Sequence, residues 1–257
     1  MEHSIIIPHR NRNANLADCL ASIARSAEFS PGVGDFEVIV VDNGSAVLPD
    51  LKRWPFAVQC EDISIMPIFN KPRLLNIGLA VAAGRYITFL DADAIVGPLF
   101  MAVVRVAKHY TRLAYRVRYV PANYGRHPRD YAAAFKGYDS LPRGYEAYGT
   151  VDRNPAADQD PAFWPPSKRY GNSQFTIERR WLRSRGLQFD EEYVGRGFSD
   201  LDFIRRIAEE YGDVYTCGIL TKYQCALVHR RHQYGDDWQT IETSAANRAR
   251  YKRNGIQ

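Results

Sequence analysis

An apolar run in the first half of the sequence, residues 84–90, ends abruptly on the carboxylates Asp91 and Asp93. The run is rich in β-branched and aromatic side chains, which is typical of a strand buried on both faces. Strand and helix patterns alternate around it, so a parallel sheet is expected, and ligands bind at the carboxyl ends of the strands in such sheets. The chain is therefore predicted to be an α/β protein with Asp91 and Asp93 at its ligand-binding edge.

Two aspartates separated by one residue offer hard oxygen ligands, which suit Mg²⁺ or Mn²⁺ carrying a diphosphate. Aspartate is also common in turns, so an acidic turn without a ligand is the alternative interpretation of Asp91 and Asp93. The choice between a metal site and a turn depends on the rest of the chain.

The composition is that of an ordinary globular protein. Of 257 residues, 46% are hydrophobic and 25% are charged, which favours a single domain with one core. No run of about 18 apolar residues is present and a strand pattern begins close to Met1, so neither a membrane span nor a signal peptide is expected. The four cysteines have no CxxC spacing, which argues against a structural zinc site and a disulfide framework.

The net charge of +5 is compatible with a nucleic acid, an anionic membrane surface or a phosphate-rich substrate as a partner. Much of the positive charge lies near the C-terminus, at Arg230, Arg231 and residues 248–253. A solvated basic helix without a specific role is the simpler interpretation of the terminal run.

The first strand is predicted at residues 4–7 and is expected to end at Pro8, because proline lacks the next ladder donor. Basic and amide side chains follow it and face the same crevice as the Asp pair, which fits a nucleotide diphosphate and base. These side chains are His9, Arg10, Asn11 and Arg12.

A second strand is predicted at residues 36–41, and it too ends on polar residues, starting with Asp42. A strand, a helix and a strand with polar residues at both strand ends form half of a doubly wound nucleotide-binding unit. Neither GxGxxG nor a Walker A sequence is present, which disfavours dinucleotide and P-loop proteins.

Two segments in the middle of the chain carry further signals. Residues 69–78 are predicted to open a helix that Gly84 ends, with the apolar side chains of residues 74–79 towards the sheet. Residues 123–167 show little periodicity, which indicates either a functional lid or acceptor loop or partial disorder.

A second acidic cluster occupies residues 195–202, where Asp200 is a helix cap as plausibly as a catalytic base. His229 and His232 stand just past a last strand predicted at residues 225–228. Two imidazoles three residues apart at that place are a credible metal pair. A lone histidine is more often structural.

These motifs together resemble the β-1,4-galactosyltransferase family and its bacterial relatives, which are inverting glycosyltransferases of the GT-A fold. The resemblance covers most of the chain, and it lies in the order and spacing of the motifs. The matching elements are residues 5–12, similar to the strand and Pro-x-Arg-x-Arg loop that bind uridine diphosphate; residues 69–78, similar to Phe-Asn-(Arg/Lys)-x-x-Leu-Leu-Asn-(Val/Ile)-Gly; Asp91 to Asp93; residues 195–202; and residues 229–232.

The resemblance implies a Rossmann-like, mostly parallel central sheet flanked by helices, with an acceptor-binding C-terminal part. It implies a UDP-sugar donor bound with Mn²⁺ or Mg²⁺. Asp200 would be the general base, and Asp93 would bind the metal with His232 and His229. Asp91 would orient the donor sugar or ribose. The nucleotide and donor would also contact Pro8, His9, Arg10, Arg12, Asp42, Arg73 and Asn76.

Three residues depart from the family pattern in the acceptor segment. Arg196 replaces the usual Trp, Ser199 replaces Glu, and Leu201 replaces an acid. Arg169 and Tyr170 fall where the relatives select between donor sugars. Neither galactose as the donor sugar nor a GlcNAc acceptor is therefore implied.

The expected organisation is one GT-A domain over residues 1–257. Residues 1–121 form its nucleotide-sugar half, residues 122–168 an irregular loop region, and residues 169–257 its acceptor and metal half. A glycan acceptor is expected and a nucleic acid is not. The chain is expected to be a cytoplasmic enzyme of polysaccharide synthesis, in peripheral contact with an anionic inner membrane. The competing hypotheses are a retaining transferase, a nucleotidyltransferase, and a non-catalytic module that binds carbohydrate or nucleic acid.

Overall fold

The computed structural model describes residues 1–28, 30, 32, 34–54, 56–62, 68–97, 100–106, 115–116, 119–121, 175–195, 197–211, 227–229 and 240–255. The strands are β1 (His3–His9), β2 (Phe36–Asp42), β3 (Ala57–Asp62), β4 (Tyr86–Phe89), β5 (Ala94–Val96), β6 (Tyr115–Arg116), β7 (Tyr119–Pro121), β8 (Phe175–Glu178) and β9 (Leu227–His229). The helices are α1 (Asn13–Glu28), α2 (Lys71–Val81), α3 (Phe100–Val106), α4 (Arg179–Ser184), α5 (Ser199–Tyr211) and α6 (Thr240–Asn254).

Within the described residues, the larger sheet has six strands in the order β3-β2-β1-β4-β8-β6. The first four are mutually parallel, whereas β8 runs antiparallel to β4 and to β6. In a smaller sheet, β9 lies between β5, to which it is antiparallel, and β7, to which it is parallel. The predicted α/β class with a mostly parallel sheet is therefore confirmed.

Two apolar cores cover the two faces of the larger sheet, because successive side chains of a strand point to opposite faces. Ile5 packs with Leu16 of α1 in one core, and Ile6 packs with Leu74 of α2 in the other. Burial of one such side chain contributes roughly 1.5–3 kcal/mol. At Gly78, α2 approaches β1 so closely that an added Cβ would lie 2.3 Å from Cγ2 of Ile6.

Pro8 does not end the first strand, so that prediction is wrong: β1 continues to His9. The carbonyl of Ile6 accepts from Leu90 on the β4 side, and the carbonyl of His9 accepts from Asn43 on the β2 side. Backbone groups of successive residues point to alternate sides of a strand, so the nitrogen of Pro8 points towards the β4 side. The pairing of β1 with β4 ends at Ile6 and Phe89, before Pro8 is reached. Since no ladder bond is available there, proline costs none.

The structure also contains a strand that the sequence analysis did not predict, β3. It pairs in parallel with β2 from Ala57 to Asp62 and stands at one end of the larger sheet. An edge strand pairs on one side, so its sequence need not be a continuous apolar run.

The helix predicted to open within residues 69–78 is present as α2, which begins at Lys71 and ends at Val81, before Gly84. The irregular stretch at residues 123–167 lies outside the described residues. None of the helices in the described part of the chain has the length and apolarity to cross a membrane.

Candidate active site

The acidic pair lies at the carboxyl end of β4, as predicted. The side chain of Asp93 is 6% exposed and that of Asp91 is 25% exposed. The amide of Ala94 donates to the carbonyl of Asp91 at 3.0 Å, which closes a tight turn between β4 and β5. The two carboxylates therefore stand at the edge of the sheet where α1 and α2 begin.

Lys71, the first residue of α2, joins two acidic residues that are far apart in the chain. Its Nζ lies 2.6 Å from Oδ1 of Asp91 and 3.3 Å from Oδ2 of Asp200. The Asn70 side chain caps α2 by accepting from the amide of Arg73, which fixes the position of Lys71 on the first turn. Burial lowers the pKa of Lys71, but the two carboxylates outweigh burial and raise it above the ordinary value, so the side chain is a cation.

Asp200 lies on the first turn of α5 and faces the Asp pair through Lys71. Its Oδ1 atom is buried and has no hydrogen-bond partner among the described residues. Burial raises the pKa of Asp200, Lys71 lowers it and Asp91 raises it, and the balance lies above the ordinary value. Asp200 is inside the helix, whose first residue is Ser199, so its carboxylate is not in the position of an N-cap.

Arg12 neutralises the other member of the pair. Its Nη1 lies 3.0 Å from Oδ2 of Asp93, and its side chain is 15% exposed. Arg12 stands between β1 and α1, so the predicted basic loop after the first strand does meet the acidic pair. Arg10 is half-buried beside it in the chain.

His9 and Asp42 form a buried pair where β1 and β2 end side by side. Nδ1 of His9 lies 2.6 Å from Oδ2 of Asp42, while Nε2 accepts from the amide of Arg12 at 3.2 Å. These partners define an imidazole with its proton on Nδ1. Burial raises the pKa of Asp42, but hydrogen bonds from His9 and Ser45 outweigh it and leave the pKa below the ordinary value.

The remaining residues expected near the donor have different surroundings. Pro8 is buried within β1, and Arg73 is exposed on α2. The amide side chain of Asn76 is held by the backbone of Phe189, to which it both donates and accepts at 2.9 Å, and by Glu191. A role of Arg73 or Asn76 beside the donor stays a prediction.

The expected metal pair is only partly described. The backbone of His229 pairs with Ala94 in the register of β5 and β9, which puts it next to Asp93 along the sheet. His232, like Arg169, Tyr170 and Arg196, lies outside the described residues. Among the side chains that the structure describes, no group of three or more His, Cys, Asp or Glu converges on a metal position.

Lys71 was not among the site residues predicted from the sequence, although it lies in the segment 69–78 that carries the family resemblance. The signal was present: a cation follows a capping Asn and precedes Pro72 at the start of a helix, at the sheet edge that carries the Asp pair. Its contact with Asp200, 129 positions later, depends on the tertiary fold.

The fold is similar to that of proteins whose structures have been solved. The crystal structure of S. aureus TarS 1-349 superposes with a TM-score of 0.60 at 17% identity, covering 90% of this chain and 60% of that one. The same protein in complex with UDP-GlcNAc gives 0.60 at 18%, covering 94% and 61%, and in complex with UDP it gives 0.58 at 17%, covering 89% and 60%. This chain thus spans about three fifths of the TarS 1-349 chain.

No curated protein sequence matched this chain. A family model, "Glycosyl transferase family 2", matches residues 4–185, which run from the second residue of β1 past β8 and include the Asp pair. The match and the shared architecture confirm the predicted GT-A fold. This chain belongs to glycosyl transferase family 2.

Proposed function

We propose that this chain is a metal-dependent inverting glycosyltransferase, which moves a sugar from a UDP-sugar to a hydroxyl of a glycan acceptor with Asp200 as the general base. The observation that carries the proposal is the state of the Asp200 carboxylate. Lys71 holds Oδ2, while Oδ1 is buried and has no hydrogen-bond partner in the described part of the chain. A carboxylate fixed through one oxygen can accept a proton on the other.

In the proposed step, the acceptor hydroxyl oxygen forms a bond to the anomeric carbon of the donor sugar. The bond from that carbon to the diphosphate oxygen breaks, and its electron pair leaves with UDP. The hydroxyl proton passes to Asp200. Attack from the face opposite UDP inverts the anomeric centre. The raised pKa of Asp200 supports this role, since a base works best when its pKa approaches the working pH.

The donor is proposed to lie along the edge formed by the ends of β1, β2 and β4. Solved complexes of TarS, which has this fold, contain UDP and UDP-GlcNAc. Arg12 brings a guanidinium to this edge, and guanidinium groups suit phosphate recognition. Asp91 is proposed to orient the donor sugar or ribose. The other proposed contacts are Pro8, His9, Arg10, Asp42, Arg73 and Asn76.

The metal is proposed to bind Asp93, His232 and His229. The ligand atoms of these residues fit the metal, because carboxylate oxygen and imidazole nitrogen both suit Mn²⁺. The register that sets His229 opposite Ala94 supports the convergence of β9 on the Asp93 turn. When bound, a divalent cation stabilises the negative charge that develops on a leaving diphosphate.

Within the glycosyltransferases, we propose that this chain is similar to the β-1,4-galactosyltransferases and acts as one domain over residues 1–257. Residues 1–121 would serve the donor, 122–168 would form a loop region, and 169–257 would serve the acceptor and the metal. Polysaccharide synthesis at the cytoplasmic face of a membrane, with peripheral contact through basic residues, is the proposed setting.

The base assignment is tested with Asp200→Asn, measured as UDP release from a panel of UDP-sugars, including UDP-GlcNAc, with glycan acceptors. Turnover should fall roughly 10²–10⁴-fold, because a positioned base contributes about that much. UDP affinity by calorimetry should stay unchanged. Asp35→Asn, exposed at the opposite end of the sheet, is the matched control and should turn over normally. Wild-type turnover by Asp200→Asn would refute the assignment.

The product distinguishes the rival enzymes. An inverting transferase gives a product whose anomeric configuration, read by NMR coupling, is opposite to that of the donor. Retention of configuration would indicate a retaining transferase, and release of pyrophosphate would indicate a nucleotidyltransferase. Salt-dependent oligonucleotide binding without UDP binding would favour a nucleic-acid module.

A further inference from the structure

The segment that leads into α5, the helix that carries Asp200, has an unusual backbone. Residues 189–195 with 197–198, called here the base loop, run from Phe189 to the start of α5. Gly195, Gly197 and Phe198 have φ angles of 67°, 90° and 68°. Positive φ is uncommon for a residue with a side chain such as Phe198, and it persists where surrounding contacts impose it.

The C-terminal helix α6 supplies such contacts. Nδ2 of Asn247 donates to the carbonyls of Val194, at 2.8 Å, and Gly197, at 3.2 Å. A side-chain amide has two N–H groups, so it can serve two carbonyls at once. Asn247 is 3% exposed. The ring of Tyr251, one turn later, lies 5.6 Å from the ring of Phe198.

Arg250 on the same helix holds the beginning of the base loop. Its Nε lies 2.7 Å from Oδ2 of Asp190, its Nη1 contacts Glu192, and its guanidinium lies 5.5 Å from the centre of the Tyr193 ring. The interpretation of residues 248–253 as a solvated basic helix is therefore wrong for Arg250. Arg248, in contrast, is exposed.

The opposite side of the base loop is fixed by the start of α2. The amide of Gly195 donates to the carbonyl of Phe69 at 2.8 Å, and Nδ2 of Asn70 donates to the carbonyl of Glu191 at 2.8 Å. The base loop is thus clamped between the segment that carries Lys71 and the C-terminal helix.

The end of the base loop sets the start of α5. The carbonyl of Phe198 accepts from the amide of Asp202 at 2.9 Å, the first turn of hydrogen bonding in that helix. Asp200 lies within this turn. A shift at Gly197 or Phe198 would therefore move Asp200 relative to Lys71 and Asp91.

We propose that Asn247 is a positioning residue for the reaction: through the carbonyls of Val194 and Gly197 it holds the base loop so that Asp200 meets the acceptor hydroxyl. The inference rests on the proposed function, in which Asp200 is the base. It assigns α6 to the support of the active site. Asn247 itself does not contact the reacting atoms.

The test compares Asn247→Ala with Arg248→Ala, the exposed neighbour on the same helix. Asn247→Ala should lower kcat about 10- to 100-fold, since displacement of a reacting group by about 1 Å can cost 10²-fold. The KM for the donor and the Kd for UDP should stay unchanged. Arg248→Ala should behave as wild type. Hydrogen exchange should accelerate in peptides that cover residues 190–198 in Asn247→Ala only.

A double-mutant cycle separates positioning from a general defect. In the Asp200→Asn background, Asn247→Ala should change the residual rate less than twofold, because the group that it positions no longer acts. An equal loss in both backgrounds would overturn the inference. If Asn247→Ala does not fold, Tyr251→Leu replaces it, with an expected several-fold loss of kcat and the same cycle.

Two failures can be told apart. A wild-type protein that transfers no sugar from any UDP-sugar would refute the proposed function and the inference with it. If the wild-type protein transfers sugar and Asn247→Ala does so at the same rate, the inference is refuted and the role of Asp200 stands.

Discussion

The sheet region, β1, β2 and β4 with α1 and α2, and the base region, residues 189–211 with α6, are held in different ways. In the sheet region, parallel ladders and fully buried aliphatic side chains fix the Asp pair. The base loop is attached by side-chain amides and charges that reach over from other elements. Removing one side-chain contact takes away a small part of the first network and a large part of the second. The position of Asp91 should therefore change little after such a substitution, whereas the position of Asp200 should change more.

Gly84→Ala should give the largest loss of stability in the sheet region, because it forces a side chain between two backbone segments instead of removing one contact. The new Cβ would lie 2.4 Å from the backbone nitrogen of Ser4, and neither β1 nor the turn before β4 can move without losing ladder bonds. We expect a loss of about 3 kcal/mol in the free energy of unfolding, measured by urea titration. Ala83→Ser, at the exposed neighbour, should change it by less than about 0.5 kcal/mol. Equal effects of the two variants would contradict the packing argument.

Asn76→Ala should loosen the attachment between the two regions. It leaves the buried N–H and C=O of Phe189 without the side chain that serves both, and such losses cost about 1–3 kcal/mol. The same titration measures the loss, with Gln188→Ala, an exposed amide one residue before Phe189, as the control. If both variants lose equal stability, the Asn76 bonds do not carry the attachment.

Lys71→Met is expected to give the smallest measured effect, a shift in a pH profile. Among the described contacts, Lys71 is the single cation that touches both Asp91 and Asp200. Burial and Asp91 raise the pKa of Asp200 and Lys71 lowers it, so removing the ammonium should raise that pKa further. Because the base must be ionised, the acidic limb of the kcat/KM profile should move to higher pH. Lys52→Met, on the surface, should leave it in place. A limb that stays or moves to lower pH would show that Lys71 does not set the charge state of Asp200.

The sequence predicted most of the sheet region because its signals are local. Strands such as β2 and β4 are apolar runs, and polar residues mark their ends. The end of β1 was mispredicted because a strand can continue through Pro8 only if no hydrogen-bond partner is needed there. That depends on where β4 ends, which cannot be read from the residues near Pro8. The strand β3 was missed because an edge strand needs no continuous apolar run.

The base region was harder to predict because its contacts are distant in the chain. Asp200 could be singled out as an acid near a helix start, but its contact with Lys71 and the contacts of Asn247 with the base loop, 50 and 53 residues away, exist only after folding. Asn247 sits in a polar, basic helix whose composition suggested no inward-facing role.

The change of strand direction at β4 has a consequence for Phe175. Because β8 runs antiparallel to β4, with Phe175 opposite Phe89, the chain enters β8 at the same rim that carries Asp91 and Asp93. Topology thus fixes the first residue of β8 at the rim of the candidate site. A substitution at Phe175 would therefore be felt both by the core beside Phe89 and by the edge that carries the Asp pair.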